Sequence, residues 1–165
     1  MSGNGDVGRI NVLKKAILLG ALLLGSGALA ADGAETALER WQADPSTIFD
    51  ASEVDLADFK WVARPVVVFA ESPADPAFRE QVELLTERLD ELVERDVVLI
   101  TDTSPDEKSD IRRKLRPRGF MLTLIGKDGG VKLRKPFPWD VRELTRQIDK
   151  MPIRRQELRD RRLDR

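Results

Sequence analysis

Residues 120–135 read FMLTLIGKDGGVKLRK, and the fold turns on how this stretch is read. Phe120–Ile125 is an apolar run of strand length. Lys127, Asp128, Gly129 and Gly130 supply a turn, because Asp-Gly lets the central residues take positive φ at low cost. Val131-Lys132-Leu133-Arg134 then alternates apolar with basic, the pattern of a strand with one buried face. Alternation places Lys132 and Arg134 on one face. With Lys127 they predict a basic group around a β-hairpin.

Working outward, Pro65–Ala70 is apolar without alternation, which predicts a strand buried on both faces. Asp75 as N-cap and Pro76 in the first turn open a helix. Phe78, Val82, Leu85, Leu89 and Leu92 make one apolar stripe along it. Val97–Ile100 reads as a second strand. Ser104, Pro105 and Glu107 form a capping-box pattern before a short helix that ends by Pro117, with Ile111 and Leu115 in its core. Beyond the hairpin, Pro136 and Pro138 stop the strand. Asp140 and Glu143 begin a helix whose buried stripe is Val141, Leu144, Ile148 and Met151. Pro152 interrupts it.

A strand, a crossover helix and a second strand imply parallel pairing with a right-handed connection, whereas the hairpin strands are antiparallel. The expectation is an α/β domain: a mixed four-stranded sheet with helices on both faces. It should span residues 61–152. Residues 153–165 form a charged C-terminal tail anchored by Ile153, Leu158 and Leu163. Residues 31–60 form an N-terminal leader, expected to be partly ordered: residues 35–42 could form a short helix with Leu38 and Trp41 on one side, broken at Asp44-Pro45-Ser46, and Leu56, Phe59 and Trp61 are spaced to lie against the core.

Residues 1–30 read as a signal peptide. Arg9, Lys14 and Lys15 are a positive n-region, Ala16–Leu24 an apolar core, and Ala28-Leu29-Ala30 a small-x-small cleavage site. The core falls short of the roughly 18 apolar residues a spanning helix needs. The expectation is a periplasmic or secreted protein that touches the membrane only through the signal peptide before cleavage.

The chain has no cysteine and no histidine. That excludes thiol redox chemistry by this chain alone, Ser-His-Asp and Cys-His catalysis, and the commonest metal ligand. No metal and no cofactor are expected. The charge is near balance overall but segregated. Residues 31–110 carry seven basic and 21 acidic side chains, residues 111–165 carry 18 basic and seven acidic. The two halves can attract each other within the fold, or present surfaces of opposite sign to partners.

The element order is similar to the thioredoxin fold. More specifically, residues 124–134 (LIGKDGGVKLR) and 148–158 (IDKMPIRRQEL) resemble an uncharacterised bacterial exported family. Its relatives include the thioredoxin-like domains of vertebrate sushi-repeat matrix proteins and of equarin. The resemblance runs from about Trp61 to Leu158. It implies a thioredoxin-like domain of unknown function, for which a redox or peroxiredoxin-like role has been suggested. Thioredoxin-type sites place thiols between the first core strand and its helix, and a cis-proline at the start of the hairpin strand. Here those positions hold Glu71-Ser72-Pro73-Ala74-Asp75 and Met121.

Three candidate binding places follow. The Ser72–Asp75 loop opens a helix, where backbone N–H donors could receive a small anion or a carboxylate, unless Asp75 simply caps it. Lys127, Lys132 and Arg134 could dock an acidic partner, or be a solvated face that discourages edge pairing. Trp139, near Phe137, could belong to an aromatic patch or be buried under the last helix. In the arginine-rich tail Glu157, Asp160 and Asp164 interleave with the basic residues, and nucleic acid is not expected as a partner. The leading expectation is a non-catalytic module that binds another exported or envelope protein. The alternative is an enzyme or small-anion binder using the Ser72–Asp75 loop.

Overall fold

The computed structural model describes residues 35–164. The expected signal peptide and its cleavage site lie outside them. Five strands form one mixed sheet: β1 (Ile48–Asp50), β2 (Arg64–Phe69), β3 (Val97–Asp102), β4 (Met121–Ile125) and β5 (Val131–Lys135). Their spatial order is β1-β3-β2-β4-β5. Strands β1 and β2 both run parallel to β3, while β4 is antiparallel to β2 and β5 to β4.

All six β2 residues are buried, and their side chains alternate between two cores. Val66 and Val68 face one, Val67 and Phe69 the other. In β3, Val97 and Leu99 oppose Val98 and Ile100 in the same way. The first core is closed by α2 (Pro76–Thr86), α3 (Leu89–Val93) and α5 (Val141–Asp149) through Leu85, Leu92, Val141, Leu144 and Ile148. The second is closed by α1 (Ala37–Ala43) and α4 (Asp110–Leu115) through Trp41, Ile111 and Leu115. Each fully buried Val, Leu or Phe stabilises by about 1.5–3 kcal/mol relative to exposure, so the apolar runs of β2 and β3 make them the centre of the sheet.

Four expectations need correction. The sheet has a fifth strand, and it comes from the leader. Helix α1 begins at a capping box between Thr36 and Glu39, and Trp41 packs edge-on against Phe59 with ring centroids 6.2 Å apart. Phe49 of β1 and Phe59 are 1 % and 0 % exposed, so the segment from α1 onward belongs to the core. Trp61, in contrast, points outward. Second, the helix expected to run through Leu92 breaks after Thr86 and resumes as α3. Third, Ser104 caps nothing: residues 105–107 make a single 3₁₀ turn, and Ser109 caps α4 by accepting from the Arg112 N–H at 3.0 Å. Fourth, the tail forms helix α6 (Pro152–Leu163), consistent with the helical reading open to it, but its anchors are not the expected ones. Its buried residue is Arg154, whereas Leu163 is 83 % exposed.

Candidate functional site

The hairpin turn closes through two backbone bonds. The Gly126 N–H donates to the Gly130 carbonyl at 2.9 Å, and the Gly129 N–H to the Gly126 carbonyl at 2.8 Å. Gly129 sits at φ +79°, which only glycine adopts without strain. Directly after the turn the register slips. Ile125 pairs with Val131 but Leu124 pairs with Leu133, leaving Lys132 as the extra residue of a β-bulge.

The bulge separates the basic group that simple alternation brings together. Lys132 lies beside Leu124, Gln147 and Met151, on the α5 side of the sheet. Arg134 reaches the α4 side, where it donates to the Leu115 carbonyl at 2.6 Å and lies beside the Met121 sulfur. Lys132 donates to Asp128 at 2.6 Å. That bond, then the Gly130 N–H, holds the Asp128 carboxyl below its ordinary value. Lys127 is drawn inward, 2.8 Å from Asp96 and 2.9 Å from Glu157. The three cations therefore point to different places, and each has a partner within the fold.

Lys127 belongs to a cluster that sequence reading missed. Arg64, 1 % exposed, donates to Glu157 at 2.9 Å and to the Arg95 carbonyl at 2.8 Å. Burial alone would raise the Glu157 carboxyl. The hydrogen bonds and charges of Lys127 and Arg64 outweigh it and hold the group below its ordinary value. This cluster locks α6 onto the sheet. Its members come from four separate parts of the chain, and no local pattern pairs them.

The Ser72–Asp75 loop lies at the carboxyl end of β2, as expected from the topology. Its donors are already used. Asp75 Oδ1 accepts from the Ala77 N–H at 2.8 Å and from the Phe78 N–H at 3.4 Å, and Ser72 Oγ accepts from the Ala74 N–H at 3.1 Å. Beside the loop, Arg112 fills the end of the sheet. It donates to Asp102 Oδ1 at 2.8 Å and to the Ala70 carbonyl at 2.8 Å, and lies over the Phe69 ring. Trp139 is partly buried against the α5 core. Its backbone N–H and carbonyl are both held by the fully buried Gln81, at 2.7 and 3.1 Å, and Lys135 Nζ lies 4.4 Å from its ring centre.

What the structure does assemble is a surface on the α4 side of the hairpin turn. Trp61 is 63 % exposed and sits at φ +67°. A bulky residue rarely adopts that backbone conformation. Its N–H donates to the Lys127 carbonyl at 2.6 Å, so the hairpin turn holds it there. Next to it, Lys60 packs along Gly129, and Lys60 Nζ lies 5.8 Å from the Trp61 ring centre. A groove of about 300 Å³ opens between the 56–60 segment, α4 and the turn. Phe59, Leu115 and Ile125 line it with almost no exposure of their own, and Lys60 and Lys114 stand on its rim. The sequence signal for this site was the Leu56–Trp61 spacing, read with the tryptophan facing the wrong way.

The family model for the domain of unknown function DUF4174 matches residues 55–157. The chain belongs to this family. The DUF4174 match covers nearly the same stretch as the resemblance drawn from the hairpin and the α5–α6 junction. No curated protein matches the sequence. Among solved structures, the DUF4174 domain is similar to the reduced 2-Cys peroxiredoxin of Plasmodium vivax, with 18% identity and a TM-score of 0.51 over 63% of this chain and 85% of that one. It is also similar to chloroplastic thioredoxin z, with 18% identity and a TM-score of 0.46 over 64% of this chain and 97% of that one. The peroxiredoxin match together with the strand order makes the DUF4174 fold thioredoxin-like, with the mixed sheet now counted at five strands. The likeness concerns the fold alone, and the DUF4174 chain carries no cysteine on it.

Proposed function

We propose that this thioredoxin-like domain is a non-catalytic module of the cell envelope or extracellular space that binds another exported protein. Binding would use the surface beside the hairpin turn. One observation carries this reading: an exposed tryptophan, Trp61, held at positive φ by a hydrogen bond from its N–H to the turn. An unfavourable backbone conformation is retained where the surroundings enforce it, and such positions cluster at functional sites. Exposed aromatic side chains are also the commonest anchors of protein interfaces.

Two features support the non-catalytic part. The chain has no thiol to place at the fold's redox position. At the loop in that position the helix-start Ala77 and Phe78 N–H groups are occupied by Asp75, which weighs against the small-anion alternative. The basic hairpin enters the proposal in altered form. Lys127 is taken up by Asp96 and Glu157 and Lys132 by Asp128, and the contact surface is the neighbouring Trp61 and Lys60.

The test is cross-linking in intact cells followed by mass spectrometry, comparing wild type with Trp61→Gly. The expected result is one dominant exported partner, lost in the variant. The same partner captured at equal yield by the variant would remove Trp61 from the interface. The absence of any captured protein would overturn the reading.

A further inference from the structure

The groove beside Trp61 has the character of a peptide site, and its charge indicates which kind. Its floor is apolar, built from Phe59, Leu115 and Ile125. Its volume of about 300 Å³ lies at the small end of ligand pockets, enough for one large apolar side chain. The polar groups on its rim differ in one respect. Asp128 is engaged by Lys132 and by the Gly130 N–H. Lys60 and Lys114 are exposed and have no carboxylate partner among the described residues. The charges left available on the rim are therefore positive.

Two further observations bear on the shape of the occupant. Val131, 42 % exposed, lines the same groove and opens β5, which pairs on one side only. A second recess of about 100 Å³ shares Leu56 and Lys114 with it but is also lined by Asp55 and Asp110, so the positive part of the surface is the groove toward the turn and β5. The groove thus has a strand edge, unpaired among the described residues, at its Val131 end. An extended chain suits that shape, since it can seat one side chain in the deep part while its backbone runs along the rim.

We propose that this groove receives an extended acidic segment of a partner protein. One large apolar side chain of that segment sits on Phe59, Leu115 and Ile125, and flanking carboxylates lie at Lys60 and Lys114. The proposal rests on the protein-binding reading and adds the chemical class of the partner's segment. It also assigns the two lysines a recognition role: they favour acidic segments and disfavour basic ones.

The probe is a short synthetic peptide with one leucine among aspartates and glutamates, titrated into the ¹⁵N-labelled protein and followed by amide shifts. Saturable shifts are expected at Lys60, Leu115, Gly126 and Gly129, with little change at Ser72 or Asp75. A peptide with lysines in place of the acids should bind at least about tenfold more weakly, as should the acidic peptide to the Lys60→Glu/Lys114→Glu double variant. Both lysines are exposed, so the double variant should keep its far-UV circular dichroism and its Tm. Replacing the leucine of the peptide by serine should abolish saturation. No shifts up to millimolar peptide, equal binding of the basic peptide, or unchanged binding by the double variant would each overturn the proposal. The cell cross-link separates this failure from that of the general reading. A partner lost in Trp61→Gly but retained in the double variant sinks the acidic groove and leaves the binding module standing.

Discussion

The two sides of the hairpin turn hold the same kinds of residue and put them to different use. On the α6 side, Lys127, Arg64, Asp96 and Glu157 are joined in a partly buried network. On the α4 side, Lys60 and Lys114 border an apolar groove with no such partners among the described residues, and Trp61 stands out into solvent. Charge density alone does not distinguish the two. The difference is pairing: a lysine whose charge is met inside the fold holds the structure together, while one left facing solvent over apolar surface is available for recognition. Burial raises the stakes on the first side, because removing one member leaves another charge uncompensated.

The largest expected effect lies on the paired side. Glu157→Gln leaves Arg64 and Lys127 short of a counter-charge, and should cost about 3 kcal/mol, a Tm loss on the order of 10 °C. Denaturant unfolding checks it. A loss below about 0.5 kcal/mol would mean that the network is held by its geometry more than by its charge. Peptide binding in the groove should be unchanged in the surviving folded protein.

Acid should act on the paired carboxylates, Glu157 in this network and Asp128 at the turn. The folded-state carboxyls of Glu157 and Asp128 are depressed. Their stabilisation is therefore fully present above the unfolded carboxylate values of about 4, and is lost as pH falls through the lower folded values. Wild type should lose more stability between about pH 5 and pH 3 than Glu157→Gln does. Parallel pH profiles for the two proteins would refute that assignment.

On the open side, Trp61→Gly should separate stability from binding. Glycine relieves the positive φ, worth roughly 1–2 kcal/mol, but loses more backbone entropy on folding, roughly 0.5–1 kcal/mol. The expected outcome is a Tm equal to or slightly above wild type together with loss of the cross-linked partner. A clear drop in Tm would show instead that the Trp61 ring is a packing element. The smallest effect belongs to Lys132→Met. Its pair with Asp128 is about one-third exposed on both sides, and should be worth less than about 0.5 kcal/mol by thermal unfolding. A larger loss would mean that the bulge depends on this pair.

Much of the architecture was legible from local patterns. The uninterrupted run of β2, the helix start at Asp75 and the Asp-Gly turn each rest on residues that are adjacent in sequence, where steric and hydrogen-bonding preferences act directly. The leader was less legible because β1 is only three residues long and draws its stability from pairing with β3, 51 residues away in register. The Ser104 pattern has the right letters for a capping box, yet the chain makes a 3₁₀ turn there and starts α4 at Ser109. The Ser109 hydroxyl donates to Asp102 at 2.6 Å, a tertiary contact that adds to its capping role.

The candidate site divides along the same line. Sequence by itself determined a cysteine-free and histidine-free α/β chain, its hairpin and its basic second half, because composition and short-range periodicity carry that information without reference to distant neighbours. Tertiary structure alone decided which charges are available. A single bulge sends Lys132 and Arg134 to opposite faces, a carboxylate from α6 neutralises Lys127, and a hydrogen bond to the turn holds Trp61 outward. Each of those outcomes depends on groups brought together across the fold, and electrostatic pairing follows distance in space.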